Sequence, residues 1–301
     1  TITKNIAYVS DWSADQSQSG VFIIDISAFG KPQVLSSMAT PGSAGGIAVA
    51  NETAYIADWV GDLQVVNISN PASPSIIGTV DTTNWPMDVL VSGSFAYVGD
   101  GKVNEDTHST FGKFYILDIT NTTSPQIIGS LEMPSTGTYG QDYAYDVAAS
   151  GNTAFVANGD SGLQIINITD PATPSFYDPF TVPPSADGRS TAKGVAVTGS
   201  TAYVAGGYSG LISLDISDPA SVIQLDVLDP VEGDFDNDFA QDVVISGNYA
   251  YVADDDYGLQ IIDISDPTNL QHISSVDGPI ITRSVRGAGN IAYVADIYSW
   301  V

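Results

Sequence analysis

Short runs of apolar residues, separated by turns rich in Gly, Asn, Asp and Ser, make up most of the chain. In the segment from Asp146 to Thr169, the apolar runs are 147–149, 154–157 and 163–168. Runs of this length between Gly-containing turns predict β-strands, and the turns are short enough to pair successive strands antiparallel. A fourth strand is predicted after a Pro-containing turn, most clearly at 126–130. The repeating unit is therefore predicted to be a four-stranded antiparallel sheet.

Two motifs of this unit recur along the chain. The second strand recurs at intervals of 42 to 58 residues, beginning at Ala7, Ala54, Ala96, Ala154, Ala202, Ala250 and Ala292. The third strand begins at Val21, Leu63, Phe114, Leu163, Leu211 and Leu259. A period of this size with four strands per unit is typical of a β-propeller blade. The predicted fold is all-β: a seven-bladed β-propeller of four-stranded antiparallel blades, forming a single domain over residues 1–301.

The last predicted blade is incomplete. The repeats place the blades at approximately 1–41, 42–83, 84–133, 134–182, 183–230, 231–277 and 278–301. The sequence stops at Val301, where the third strand of the seventh copy should begin. Two alternatives follow: the polypeptide continues beyond Val301, or another chain completes the half-blade. The second alternative leaves an exposed strand edge that favours self-association by strand addition.

The repeat motifs also resemble a known family. The stretches GLQIIDISDP (258–267) and SGNYAYVAD (246–254) are similar to the LVIVD repeat of bacterial and archaeal surface or secreted proteins. The resemblance covers practically the whole chain. It implies a β-propeller at the surface of, or outside, a prokaryotic cell, and it implies no particular chemistry.

The charge of the chain restricts its partners. Eight Lys and Arg stand against 35 Asp and Glu, and the net charge is −27. All but four of the acids are Asp, a residue that favours turns because its carboxylate bonds nearby backbone amides. Repulsion argues against nucleic acid and anionic membrane surfaces as partners. No apolar stretch is long enough to cross a membrane, and the absence of cysteine excludes disulfides and thiolate chemistry.

Four Asn residues lie in N-glycosylation sequons. Asn51 and Asn121 lie in predicted turns, where glycosylation is most accessible. Asn67 and Asn167 occupy a position near the end of the third strand that other copies fill with Asp, so we expect them to hydrogen-bond locally.

The long insertions indicate which side of the blades binds a partner. They fall at 99–112, 133–145, 177–193 and 229–241, that is, in a second-to-third-strand turn or in connections between blades. In a propeller these segments emerge on one side, which we call the loop face. Because long loops on a rigid scaffold carry binding residues, we predict that the loop face binds the partner.

The candidate binding residues of the loop face are acidic or aromatic. They are Asp58, Trp59, Trp85, Asp88, Asp100, Tyr145, Asp146, Tyr208, Asp242, Asp254, Tyr257 and Asp296. The carboxylates either cap their own turns or bind ions, because neighbouring carboxylates need amide donors, cations or raised pKa values. The aromatic residues either form a platform for a sugar or polar peptide or cover the ends of the core.

One acidic loop suits a hard cation. Asp234, Asp236 and Asp238 alternate along the chain, an arrangement compatible with Ca²⁺, which takes six to eight oxygen ligands. The loop is not an EF-hand, since Phe239 stands where the glycine is needed. A solvated acidic loop is the alternative, and no cofactor is otherwise required.

Catalysis has little support in the sequence. The two histidines, His108 and His272, belong to different copies, and neither lies in a nucleophile motif. His272 is predicted to be structural. The leading hypothesis is a non-enzymatic extracellular recognition or assembly module that binds a protein or glycan through the loop face, with or without Ca²⁺. The rival hypotheses are a structural subunit completed by strand exchange and a polysaccharide hydrolase or lyase that uses loop-face Asp residues.

Overall fold

The computed structural model describes residues 1–11, 19–28, 30–83, 85–103, 110–135, 142–185, 188–229, 239–276, 281–288 and 291–296. The regular structure of these residues consists of β-strands and one 3-10 turn, Asp255–Tyr257. They form two compact units: Thr1–Val147 with Asp170–Pro174, and Ala148–Thr169 with Ser175–Val301. The assignment of the whole chain to one domain remains a prediction.

The first unit contains three complete blades, each paired antiparallel in chain order. Blade 1 consists of β1 (Ile2–Thr3), β2 (Ile6–Asp11), β3 (Gly20–Asp25) and β4 (Gln33–Ala39). Blade 2 consists of β5 (Ala44–Ala50), β6 (Thr53–Asp58), β7 (Asp62–Asn67) and β8 (Ser75–Val80). Blade 3 consists of β9 (Trp85–Ser92), β10 (Phe95–Val103), β12 (Lys113–Asp118) and β13 (Gln126–Glu132), with β11 (Thr110–Phe111) paired to β10.

The remaining strands form blades 4 to 6 and a smaller sheet. Blade 4 consists of β14 (Asp146–Ser150), where the two units meet in sequence, β15 (Thr153–Ala157), β16 (Leu163–Asn167) and β17 (Ser175–Phe176). Blade 5 consists of β18 (Gly194–Thr198), β19 (Thr201–Ala205), β20 (Leu211–Asp215) and β21 (Ile223–Leu228). Blade 6 consists of β22 (Ala240–Ser246), β23 (Tyr249–Asp254), β24 (Gly258–Asp263) and β25 (Gln271–Val276). The last sheet has two strands, β26 (Thr282–Ala288) and β27 (Ile291–Asp296).

This architecture confirms the all-β propeller of four-stranded antiparallel blades. The described residues form six complete blades and one two-stranded partial blade, rather than seven complete blades. We call the sheet of β26 and β27 the partial blade.

The middle strands are buried on both faces, which explains why their sequences do not alternate between apolar and polar residues. All residues of β6 and β15 are buried, whereas every residue of the outermost strand β25 is exposed. The apolar clusters lie between neighbouring blades: one joins Tyr55 of blade 2 to Val98 of blade 3. The repeated tyrosine of the second strand is therefore a core residue in blades 1, 2, 3 and 5, at Tyr8, Tyr55, Tyr97 and Tyr203.

A β-bulge interrupts the outermost strand of five blades. In blades 1, 2, 3, 5 and 6 the pairing of the third and fourth strands shifts by one residue. The residue left over in each fourth strand is Leu35, Ile77, Ile128, Leu225 or Ile273. A bulge of this kind twists the strand and hinders pairing with another molecule.

Several acidic residues accept backbone hydrogen bonds within the turns between third and fourth strands. Asp25 Oδ1 accepts a hydrogen bond of 2.8 Å from the Ser27 N–H, and Asp263 does the same with Ser265. These backbone donors lower the pKa of both carboxyls. Asn67 and Asn167 make the equivalent bond, 2.9 Å long, which confirms that they hydrogen-bond locally. These turn carboxylates therefore have a structural role, on the side opposite the loop face.

Candidate functional site

Three carboxylates at the ends of second strands, Asp58, Asp100 and Asp254, are buried and bond the chain segments that lie beside them. Asp58 accepts hydrogen bonds of 2.8 Å from Thr40 Oγ1 and from the Gly42 N–H. Burial raises the pKa of Asp58, and these two donors partly oppose the effect. Asp254 accepts from the Phe239 N–H at 3.0 Å, and Asp100 accepts from the Lys113 N–H. These bonds support the interpretation that the carboxylates act as turn caps.

The carboxylates of the innermost strands make a different kind of bond, which joins one blade to the next. Asp88 Oδ2 on β9 accepts from the Val147 N–H of β14 at 3.1 Å. Asp242 Oδ2 accepts from Ser284 Oγ at 2.6 Å and from the Val285 N–H at 3.0 Å. Arg286 Nη1 also lies 2.6 Å from this oxygen. Sequence reasoning missed this bridging role, because the donors lie about a blade further along the chain.

Other predicted residues lie in the described segments without forming a metal site. Asp146 is the first residue of β14, and its Oδ1 accepts from the Val147 N–H at 3.0 Å. Tyr257 ends the 3-10 turn, and Asp296 ends β27. No group of three or more His, Asp or Glu among the described residues could hold a metal ion. The predicted Ca²⁺ ligands Asp234, Asp236 and Asp238 lie outside the described residues, and so does His108.

The predicted glycosylation sites and His272 are also placed. Asn51 is exposed in the turn between β5 and β6, and Asn121 is exposed in the turn between β12 and β13. Their glycosylation remains a prediction. His272 Nε2 lies 3.1 Å from both Gln260 Oε1 and Ser275 Oγ. These contacts within blade 6 agree with a structural role for His272.

Partly buried aromatic residues form edge-to-face pairs at the loop face. In the first unit the ring centroids of Trp59 and Trp85 are 5.0 Å apart, and those of Tyr143 and Tyr145 are 5.6 Å apart. In the second unit Tyr208 and Phe239 are 4.6 Å apart, with their ring planes at 87°. In each pair at least one residue directly precedes or begins an innermost strand, so each pair lies at a loop-face end of its blade.

A cationic side chain lies over each ring of the aromatic pair in the second unit. The Arg189 guanidinium lies 4.8 Å from the centre of the Tyr208 ring, and Lys193 Nζ lies 5.5 Å from the centre of the Phe239 ring. Both distances are within the range of a cation–π interaction. We call this group, together with the polar side chains beside it, the cationic cluster; its members are Asp160, Arg189, Lys193, Tyr208, Phe239, Gln241, Asp255 and Arg283.

Lys193 is a strongly perturbed ionisable group in the cationic cluster. Burial lowers the pKa of Lys193 to about 7, and repulsion from Arg283 adds to the lowering. Attraction from Asp160 and Asp255 acts in the opposite direction. Asp255 also accepts a bond of 3.0 Å from Gln241 Nε2 and lies 3.7 Å from Arg283 Nη1. A strongly perturbed ionisable group beside convergent polar side chains is a candidate functional site.

Backbone bridges hold the cationic cluster in place. Gly159, in the turn before β16, pairs with Ala192, the residue before Lys193. Gly207, in the turn before β20, pairs in the same way with Ala240, the residue after Phe239. Gly207 has a φ of 58°, and a Cβ atom there would lie 3.1 Å from the Phe239 ring. The turn therefore requires glycine, and the cluster is preorganised by its scaffold.

The repeats of the sequence contain a signal for the cationic cluster. Tyr208 was predicted, whereas Arg189, Lys193 and Arg283 were not singled out. Lys193, Gln241 and Arg283 occupy the same position in three successive copies, one residue before Gly194, Asp242 and Ser284. In a repeat protein, equivalent positions of adjacent copies face the same way, so this alignment could have revealed the cluster.

Tyr115 positions the connection that leads to Trp85. Its buried hydroxyl donates to the Thr82 carbonyl and lies 3.0 Å from Thr83 Oγ1. Burial, together with the nearby Asp100 and Asp81 charges, raises the pKa of Tyr115 to about 12.

Replacing Tyr115 with Phe is expected to lower the free energy of unfolding by about 1–2 kcal/mol, because the buried Thr82 carbonyl loses its donor. The folded pKa lies above the unfolded value near 10, so the contribution of the neutral phenol is present below pH 10 and is lost as pH rises towards 12. Urea unfolding at pH 7, 10 and 11.5 should show a smaller difference between the two proteins at the highest pH. An equal difference at all three pH values would contradict this assignment.

Comparison with known families matches the LVIVD repeat to residues 41–82, 86–132, 141–181, 189–226 and 239–278. The chain belongs to the LVIVD-repeat family. The five matched segments correspond closely to blades 2 to 6 of this LVIVD-repeat protein. Comparison with curated proteins found no match.

Solved structures resemble the LVIVD-repeat protein in fold. A candidate 6-phosphogluconolactonase from Bacteroides uniformis has a TM-score of 0.70 at 14% identity, over 96% of this chain and 87% of the other. BamB from Moraxella catarrhalis has a TM-score of 0.59 at 14% identity, over 96% of both chains. The computationally designed Ika8 protein has a TM-score of 0.59 at 13% identity, over 98% and 91%. At these identities the likeness shows the fold alone.

Membrane insertion through a helix has no structural support in the described segments, where no helix has the length and apolarity needed to cross a bilayer.

Proposed function

We propose that this LVIVD-repeat protein is a non-enzymatic recognition module that acts outside a prokaryotic cell or at its surface, and that its loop face binds a glycan. The observation that carries the proposal is the placement of the aromatic pairs Trp59–Trp85, Tyr143–Tyr145 and Tyr208–Phe239 at loop-face ends of the blades. Partly exposed rings beside amide and carboxylate groups suit a sugar, which offers both apolar ring faces and hydroxyl groups.

The bonding of the carboxylates favours recognition over hydrolysis. A glycosidase needs two carboxyl groups flanking the bond to be broken. Asp58, Asp242 and Asp254 are buried, and each accepts hydrogen bonds from the chain's own backbone. These bonds give them structural roles and favour the binding hypothesis over a hydrolase or lyase.

Removing the Tyr208 ring is expected to weaken glycan binding about tenfold, because the ring is half of the aromatic pair and an aromatic contact contributes roughly 1 kcal/mol beyond its buried area. The measurement is a glycan array on the wild-type protein, followed by titration of the best ligand into Tyr208→Ala. Tyr249→Ala is the matched control, since Tyr249 is 41% exposed at the start of β23, away from the loop face. Repeating the array with EDTA tests Ca²⁺ assistance by Asp234, Asp236 and Asp238. Silence across the array, or equal losses in the two variants, would refute glycan binding through this site and favour a protein partner.

A second candidate function is assembly through the partial blade. Within the described residues β27 pairs with β26 alone, while the other sheets have four or more strands. Val294 of β27 is 42% exposed. A strand from another molecule could extend this sheet. Light scattering across a range of protein concentrations tests the idea: a mass that stays at one chain up to high concentration would argue against it.

A further inference from the structure

The cationic cluster concentrates positive charge in a strongly acidic chain. The chain has eight Lys and Arg against 35 Asp and Glu, and three of the eight belong to this cluster: Arg189, Lys193 and Arg283. Burial, the largest effect, and Arg283 disfavour the charged form of Lys193, whereas Asp160 and Asp255 favour it, so the cost of the charged amine comes mainly from burial. A negatively charged ligand would reduce this cost.

We propose that the cationic cluster binds the carboxylate of an acidic sugar, with the Lys193 ammonium and the Arg283 guanidinium as donors. The inference rests on the proposed glycan-binding function and names the class of ligand: a glycan that contains uronic acid residues. Guanidinium offers a planar fork of N–H donors that matches a carboxylate, and ammonium adds a compact charge.

The surroundings of Arg283 leave room for such a ligand. Its Nη1 lies 3.7 Å from Asp255 Oδ1, which is longer than the charge-assisted hydrogen bonds of about 2.7–2.9 Å found in tight pairs. The Arg283 side chain is 45% exposed. The side-chain amide of Gln241 donates to Asp255. Gln241 occupies the position in blade 6 that Lys193 occupies in blade 5 and Arg283 in the partial blade. It can present an amide group to a sugar hydroxyl.

The aromatic rings and backbone bridges reduce the ordering that binding requires. Arg189 is held against Tyr208, and Lys193 against Phe239. Both rings lie on segments fixed by the Gly207–Ala240 bridge. Preorganised donors lose less conformational entropy on binding than free surface side chains.

Protonation of Lys193 links binding to pH. The charged groups that act on it are Asp160, from the turn after β15, Asp255, from the turn after β23, and Arg283, from β26. Because burial lowers the pKa of Lys193 to about 7, the amine of the free protein loses its proton as pH rises above neutral. A bound carboxylate favours the charged amine, so binding takes up a proton at pH 8. Affinity should therefore fall from pH 7 to pH 9, by up to about tenfold per pH unit.

The test is calorimetric titration with short oligomers of galacturonate, glucuronate and mannuronate, with their methyl esters as uncharged controls. At an ionic strength of about 0.15 M the Debye length is about 8 Å, so repulsion between the ligand and more distant acidic residues is largely screened. We expect the oligouronates to bind, the methyl esters to bind about 10- to 100-fold more weakly, and Lys193→Met to lose the same factor. Lys193→Arg should retain binding without the fall in affinity above pH 7, because guanidinium stays charged.

The outcomes separate this inference from the proposed function. Binding that is equal for the oligouronates and their esters, or unchanged in Lys193→Met, would overturn the role of the cationic cluster and leave glycan binding standing. Failure of every saccharide, charged or uncharged, would overturn both. Equal pH profiles for the wild-type protein and Lys193→Arg would refute Lys193 as the carboxylate donor, since a merely structural lysine would not change the profile.

Discussion

Replacing Asp242 with alanine is expected to release the partial blade from blade 6. Asp242 is 8% exposed, and one of its oxygens accepts from Ser284, Val285 and Arg286, all on β26. In addition, β26 contributes Val285 to a small apolar cluster with Ala253 and Leu259, and its Arg283 lies 3.7 Å from Asp255 of blade 6. Hydrogen bonds to a charged group are each worth about 1.5–3 kcal/mol and are not additive. We therefore expect the free energy of opening the partial blade to fall by about 2–4 kcal/mol.

Hydrogen exchange measures this opening directly. Amides of residues 282–296 should exchange roughly 30- to 1000-fold faster in Asp242→Ala, since each 1.4 kcal/mol is a factor of ten. Amides of the first unit should change little. Asp226→Ala is the matched control: Asp226 also joins two blades, but through a single bond of 2.7 Å to the Leu270 N–H. If both variants left the exchange of 282–296 unchanged, the carboxylate would not be the anchor.

Prediction from the sequence succeeded where the signal is local and repeated. The second strands begin with Ala and an aromatic residue in every copy, and the strands observed at β6, β15 and β19 contain these residues. The turn residues Asn67 and Asn167 also bond within two positions of themselves, so local chemistry was sufficient to predict them.

The candidate site could be predicted only in part, because it depends on contacts between copies. Tyr208 was identified as a loop aromatic residue, but its partners Arg189 and Phe239 come from different connections between blades. Asp88 and Asp242 were assigned to the loop face from their positions at the start of innermost strands. Their donors, Val147 and Val285, could not be assigned, because local patterns do not specify which backbone amide of the next blade lies within reach.

The distribution of Asp shows that net charge alone is a weak guide to function in this fold. Carboxylates such as Asp25 and Asp263 stabilise turns, and Asp58 and Asp254 stabilise connections. In the turns the short side chain of Asp bonds a backbone amide two residues away, and in the connections it bonds one about fifteen residues away. The clustering of rare cations is therefore more informative about a ligand than the abundance of acids.

The second large effect is expected for Gly46→Ala, on the innermost strand of blade 2. A Cβ atom at Gly46 would lie 2.6 Å from the Asp88 Cα of the next blade, closer than real Cβ contacts. The pairing of β5 with β6 is irregular between Ala44 and Ile47, so Gly46 lies in a bulge pressed against β9. The Asp88 carboxylate would lie closer still and could rotate aside, but the Cα atom is backbone and cannot. We expect a loss of about 3 kcal/mol or more in the free energy of unfolding, at the upper end of the cost of overpacking.

Gly287→Ala is the matched control for this steric argument. Gly287 lies on the innermost strand of the partial blade, and a Cβ atom there would meet no atom of the described residues within 4 Å. This change should alter the free energy of unfolding by less than about 0.5 kcal/mol, as measured by urea unfolding of both variants. The double variant Gly46→Ala/Asp88→Ala distinguishes a clash with the Asp88 side chain from a clash with the Asp88 backbone. The Asp88 Cα remains after the carboxylate is removed, so the double variant should recover little stability. Full recovery would show that the Asp88 side chain, and not the close approach of the two strands, requires glycine at position 46.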